Sequence, residues 1–191
     1  SDSEVVLRLY EKLGARLVGE LSGMFAFCIL DQPGQKALLV RDGYGLRPVF
    51  YAVQDGILYF ASELKALLEV PGLGSELDHE ALWHYLSLGY IPGRRTPFRD
   101  IRELPGGHLL EVDLKTGAWS ERRHYKIDYR PDDTLDEREC ALEVRRLLRA
   151  SVERNLHADA PVGLTLSGGV DTSSLLALAK ELGVSSRLHT Y

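Results

Sequence analysis

The segment LSGGVDTSS, Leu166 to Ser174, concentrates two adjacent glycines, several hydroxyl side chains and one carboxylate. Adjacent glycines let a backbone turn sharply and approach a ligand closely. The first amides of a following helix have no partner within that helix and carry the positive end of its dipole. That combination cradles phosphate oxygens. Ser167 and Thr172 bring hydroxyl donors, and Gly168, Gly169 and Val170 bring backbone amides. Asp171 would repel a polyanion, and a divalent cation between the two, with Mg2+ suited to carboxylate and phosphate ligands, removes the conflict. A helix cap, accepting from an amide two residues on, is the structural reading of the same carboxylate. Ser173 and Ser174 read as first-turn residues, with Ser173 near enough to contribute. Leu166 reads as the end of a buried strand. Neither a G-x-x-x-x-G-K-[ST] loop nor a G-x-G-x-x-G fingerprint is present.

The order around this segment is strand, turn, helix: an apolar run from Val162 to Leu166, then a helix-like run from Ser174 to Leu182. Upstream, TLDE from Thr134 to Glu137 reads as a capping box, opening a helix to about Leu156 with Ala141, Val144, Leu148 and Val152 on one face. The chain's first 21 residues carry apolar positions at Val5, Val6, Leu9, Leu13, Leu17 and Leu21, a helical period with a capping box at Ser1 and Glu4. Next come four short strand signals within about 40 residues, Gly23 to Asp31, Lys36 to Asp42, PVFYAV and ILYFAS, predicting an antiparallel sheet. Near-continuous hydrophobicity predicts that the first strand is covered on both faces. Runs at Glu63 to Leu68 and Asp78 to Leu86 are helix-like. The final LHTY reads as a strand just begun. Both ends look cut, so the chain reads as an internal piece of a longer protein.

The 191 residues allow one or two domains, and a net charge of −5 is mild. That charge argues against nucleic acid or an anionic membrane as the main partner. No apolar run approaches the roughly 18 residues of a membrane span. Cys28 and Cys140, far apart in apolar patterns, read as buried free thiols in a reducing cytosol. The six histidines have no metal-ligand spacing, and His108 in its GGH turn reads as structural. Arg41, Asp42 and Arg47 read as fixing the RDGYGLRP turn, and PGRRTPFRDIR as a solvated loop.

S-G-G-x-D-[ST]-S resembles the pyrophosphate loop of ATP-dependent adenylating enzymes. The ordered series SDSEVVLRLYEKLG, LSGMFAFCILD, RDGYGLRPVFYA, LYFASELKALL and LGYIPGRRTPFRDIRELPGGHLLEVD resembles the glutaminase domain of class II glutamine amidotransferases, in the asparagine synthetase branch. LTLSGGVDTSSLLAL resembles the start of the synthetase domain of the same enzymes. The resemblance implies an α/β chain: an α+β glutaminase part of αββα type over 1–126, a linker over 127–134, and the start of a parallel adenine-nucleotide hydrolase-like domain over 135–191. It implies that glutamine hydrolysis supplies ammonia, that ATP with Mg2+ activates aspartate as β-aspartyl-AMP, and that ammonia displaces AMP. Leu166 through Ser173 then hold ATP and pyrophosphate, with Leu166 near the adenine.

Asp2 matches the family aspartate that pairs with the glutamine α-ammonium group, a charge-assisted contact; first-turn helix stabilisation is its plainer role. The family's cysteine nucleophile would lie upstream of Ser1, and neither Ser1 nor Cys28, within a strand, is expected to replace it. No catalytic residue is therefore expected in this chain, and the isolated chain is expected to be inactive. The implied partners are glutamine, aspartate and ATP, in a cytoplasmic enzyme with room for a homodimer. A related ligase such as a β-lactam-forming synthetase is one alternative, and a degenerate, non-catalytic domain is another.

Overall fold

The computed structural model describes residues 1–184 and 188–191, in two compact units, Ser1–Asp128 and Tyr129–Tyr191.

In the first unit, α1 (Asp2–Leu13) ends where Gly14 takes a φ of 58°, and Gly14–Gly19 continue as a 3-10 helix. The helix predicted to reach Leu21 is therefore two pieces. The apolar spacing still does its work, because Leu17 and Val18 are buried beyond the break. Ser1 is the N-cap, but its side chain makes no capping bond; its carbonyl instead accepts from the Glu4 and Val5 amides. The predicted capping box is thus incomplete.

Seven strands follow: β1 (Ala26–Asp31), β2 (Lys36–Arg41), β3 (Phe50–Gln54), β4 (Ile57–Ala61), β5 (Arg102–Glu103), β6 (His108–Asp113) and β7 (Trp119–Arg123). The four strands expected in one sheet divide between two. One sheet has the order β1-β2-β6-β7 and the other β4-β3-β5, all pairs antiparallel. Alternation along β2 and β6 explains the stacking, since successive side chains point to opposite faces. Leu38, Val40 and Leu109 pack with Leu17 and half-buried Val6 and Leu9 of α1. Leu39 and Leu110 pack the other way, against Val49, Tyr51 and Leu104. On the far side of the second sheet, Ala52 and Ile101 pack with Leu67 of α2 (Leu64–Leu68). The layers are helix, sheet, sheet, helix, the αββα arrangement expected.

β1 is an edge strand, not the doubly covered strand expected: Leu30 is 59% exposed. Cys28 lies exposed on the same face, and Cys140 is also exposed, so neither is the buried thiol predicted. Helix α3 (His79–Leu88) is capped by the Asp78 carboxylate, which accepts from the Ala81 amide.

The second unit is a β-α-β piece preceded by a helix. α4 (Glu137–Asn155) starts two residues later than predicted, with a complete capping box made by Asp136 and Glu139. β8 (Gly163–Leu164) and β9 (His189–Thr190) pair in parallel around α5 (Val170–Glu181). Of the stripe predicted on α4, only Val152 is partly covered, while Ala141, Val144 and Leu148 are exposed. The Arg145 guanidinium reaches Glu181 across the two helices at 2.6 Å.

Candidate functional site: an open amide turn and a polar-lined cavity

The glycine turn lies between β8 and α5. Leu166 lies two residues past β8 and is exposed, so it is not the end of a buried strand as expected; its amide donates to the Tyr191 carbonyl at 2.8 Å, next to the small parallel ladder. Gly168 then takes a φ of 77°, a left-handed conformation natural to glycine. Gly169 is the N-cap, so α5 begins at Val170, four residues earlier than predicted. Asp171 consequently sits inside the first helical turn, and the helix has no side-chain cap. The capping role weighed for Asp171 is overturned; its exposed carboxylate is committed to no helix amide.

Among the described residues, no backbone carbonyl accepts from the amides of Gly168, Gly169, Val170, Asp171 or Thr172; the first helical bond is Ser173 to Gly169 at 3.1 Å. The Ser167 and Thr172 hydroxyls lie 3.3 Å apart, and Thr172 also donates to the Gly169 carbonyl. Val170 is 82% exposed. The turn thus brings together consecutive free amides, two hydroxyls and the positive end of α5, a donor set that suits phosphate oxygens. Ser173 is exposed in the first turn of the helix.

In the first unit, Asp2 opens α1 and borders a cavity of ≈ 810 Å³ with Phe27, Cys28, Arg47, Ser62 and Glu63. Cys28 is exposed as a residue, but it lines this apolar cavity, and partial desolvation there raises its thiol above the ordinary value. Such a thiol is a poor nucleophile near neutral pH. Arg47, Ser62 and Glu63 beside Asp2 were not singled out from the sequence for this cavity. Their only sequence signal is position, each close to a strand end that the fold turns toward α1.

The turn that presents Arg47 is fixed by buried charge, as its residues predicted. Asp42 is fully buried and accepts from the amides of Tyr44, Leu46 and Arg47 at 3.1, 3.0 and 3.0 Å. Burial by itself would raise its pKa, but these amides outweigh burial and hold it below the ordinary carboxylate range. Arg41 donates to the carbonyls of Arg47, Gly45 and Leu104 and pairs with Glu103 at 2.6 Å. The GGH turn locks onto the same corner. The Gly107 amide donates to the Asp42 carbonyl, and a Cβ at Gly106 would come within 2.8 Å of the Gly45 nitrogen. His124 shares a hydrogen bond between Nε2 and the Arg41 carbonyl, and burial holds its pKa below the ordinary value. His108 Nδ1 lies 2.9 Å from the Gly106 carbonyl, a structural contact. The arginines of the 94–99 loop pair with Glu121, Asp78, Glu80 and Glu76 from other segments, not with the interleaved Asp100.

The family model for a glutamine amidotransferase domain matches residues 1–125, and the model for asparagine synthase matches residues 143–191. The chain belongs to the glutamine amidotransferase domain family. A putative glutamine-hydrolysing asparagine synthetase 2 of Methanocaldococcus jannaschii is 32% identical over 194 residues, covering 100% of this chain and 37% of that protein. The glutamine-hydrolysing asparagine synthetase 2 of Bacillus subtilis is 35% identical over 207 residues, covering 100% of this chain and 26% of that protein. The chain thus spans between 26% and 37% of the length of these relatives. The solved glutamine phosphoribosylpyrophosphate amidotransferase of B. subtilis, complexed with ADP and GMP, has 16% sequence identity and a TM-score of 0.43, covering 100% of this chain and 38% of that one.

Proposed function

We propose that this chain is the glutaminase-to-synthetase portion of a cytoplasmic, glutamine-dependent asparagine synthetase, with the 166–173 turn as its pyrophosphate grip. The observation that carries the reading is the run of amides from Gly168 to Thr172 that, among the described residues, have no carbonyl partner at the start of α5. The relatives' names, glutamine-hydrolysing asparagine synthetases, support a reaction in which glutamine hydrolysis yields ammonia and aspartate is then amidated. A carboxylate is a poor electrophile, and joining it to AMP with loss of pyrophosphate gives ammonia a bond that it can break. Gly168, Gly169 and Val170 donate amides to the pyrophosphate, the Ser167 and Thr172 hydroxyls flank it, and Leu166 backs the adenine. The residues present fit Mg2+, because the exposed Asp171 carboxylate needs a cation to approach phosphate; the bound ion would supply charge neutralisation. Asp2 pairs with the glutamine ammonium group at the cavity that it borders.

The test uses a protein with the length of those relatives. Asp171→Ala should cut ATP-dependent pyrophosphate release by about 10²-fold while leaving glutamine hydrolysis intact, and Asp2→Ala should do the reverse. Equal loss of both activities in either variant refutes the assignment. The 191-residue chain alone should form no asparagine, because a parallel sheet of two short strands leaves one turn exposed where a substrate site needs walls. Measurable asparagine from it would overturn that expectation.

A further inference from the structure

The inter-sheet space of the first unit is open on one flank. β7 is the edge of the first sheet, and β5, only two residues long, is the edge of the second. Between them and the 94–102 loop lies a cavity of ≈ 730 Å³, within the range of small-molecule sites. It is separate from the glycine turn and shares no residue with the Asp2 cavity.

Its wall is built rather than incidental. Tyr51 and Arg102 are cross-strand partners and so share a sheet face. Trp119 and Glu121, two apart on β7, share the facing one. Tyr51 is 4% exposed and meets Trp119 edge-on, with ring centroids 6.0 Å apart at 72°. Arg94 grips Glu121 with two hydrogen bonds of 2.5 and 2.6 Å and neutralises the carboxylate in the floor. Arg99 is engaged outward with Glu76. Arg102 is exposed at the mouth and, among the described residues, has no ion pair. The indole of Trp119 keeps part of its surface open, and Asp100 adds an exposed acceptor.

We propose that this cavity binds a small flat heteroaromatic anion: the ring packs on Trp119, the anionic group meets Arg102, and hydroxyl or amino donors of the ligand meet Asp100. Aromatic packing and a charge-assisted guanidinium contact are each too weak alone at an exposed site, and the geometry offers both within one pocket.

The protein contains two tryptophans, Trp83 and Trp119, so Trp83→Phe leaves Trp119 as the sole indole reporter. That variant is titrated with AMP, which combines ring and anion, with adenosine for the ring alone and with inorganic phosphate for the anion alone. AMP should quench Trp119 saturably, adenosine at least about tenfold more weakly, and phosphate should compete with AMP without quenching. Arg102→Gln, a change at an exposed side chain, should weaken AMP at least about tenfold, while Thr172→Val at the glycine turn should leave it unchanged. No quench by AMP, equal response to adenosine, or sensitivity to Thr172→Val in place of Arg102→Gln would each overturn the proposal. The last outcome would assign AMP to the turn and leave the ligase reading standing.

Discussion

The two units hold themselves together differently. In Ser1–Asp128, three apolar clusters fill the spaces between α1, the two sheets and α2. In Tyr129–Tyr191, the buried apolar side chains are Leu178 and Ala179 alone among the described residues, and α4 buries none. The first unit therefore spends its sequence on packing and gathers its buried charges, Arg41 and Asp42, at one hydrogen-bonded corner. The second has, among the described residues, a row of amides without a carbonyl partner at the start of a helix, an arrangement suited to an exposed turn and able to gain from an anion. Stability and ligand readiness sit in different parts of the chain.

The sharpest break of that comparison is a pair of truncations. Leu110→Ala, at a fully buried position between the sheets, should cost about 2–5 kcal/mol. Leu148→Ala, on an α4 surface 42% exposed, should cost under about 1 kcal/mol. Urea unfolding followed by tryptophan fluorescence, since Trp83 and Trp119 both lie in the first unit, and by helical circular dichroism for α4 would separate them. Equal costs would mean that the second unit has a core not seen in its burial.

The polar corner comes next. Asp42→Ala leaves three amides without their acceptor and should cost about 3 kcal/mol, read as a fall in the first unit's unfolding midpoint. The pH dependence follows from the same corner. His124 has a lowered folded pKa, so the unfolded chain takes its proton first; its contribution is full above about 6.5 and is lost as pH falls toward the folded value. Asp42 is likewise lowered, and its contribution, present above about 3.9, disappears as pH falls through its still lower folded value. Acid titration of unfolding should therefore show two declines, and His124→Gln should flatten only the upper one. A profile unchanged by that variant would remove His124 from the account.

These contrasts also show what the amino-acid sequence could and could not convey. Strand positions were legible because alternating apolar residues demand two faces, as Leu38 to Val40 show. Their division between two sheets was not, because nothing local in RDGYGLRP says whether the chain doubles back or crosses over. The corner's charges were legible as a turn device, but the depth of Asp42 depends on Gly106 and Gly107, some 60 residues away. TLDERE holds two overlapping capping boxes, and Thr134 lost because its hydroxyl and amide turn to Asp132. Exposed Cys28 was misread because composition registers an apolar strand, not the absence of a neighbour beyond its edge. At the glycine turn the donors were legible by type; the start of α5 at Val170, which moves Asp171 from cap to first turn, was not.

Smaller effects probe the turn itself. Gly168→Ala places a side chain at a φ of 77°, where no neighbour lies within 4 Å, so the cost is backbone strain alone, about 1–2 kcal/mol. A melt of the second unit should register it, whereas Gly169→Ala, at an extended φ of −76°, should cost much less.

Asp171→Ala should have the smallest effect on folding and the clearest on binding. Its carboxylate bonds no amide of its helix, so its loss should cost the dipole contribution, about 0.3–1 kcal/mol. If the turn grips pyrophosphate as proposed, added pyrophosphate with Mg2+ should raise the unit's unfolding midpoint, as any ligand selective for the native state does. If Asp171 holds the cation side of that complex, the variant should lose the Mg2+-dependent part of the shift and keep the part produced by pyrophosphate alone at the amides. A variant that keeps the whole shift would confine recognition to the backbone and leave Asp171 with the helix dipole as its only partner. A chain that shows no shift with either ligand would mean that the free amides of the second unit are satisfied by water, and the contrast between a packed unit and a receptive one would fail.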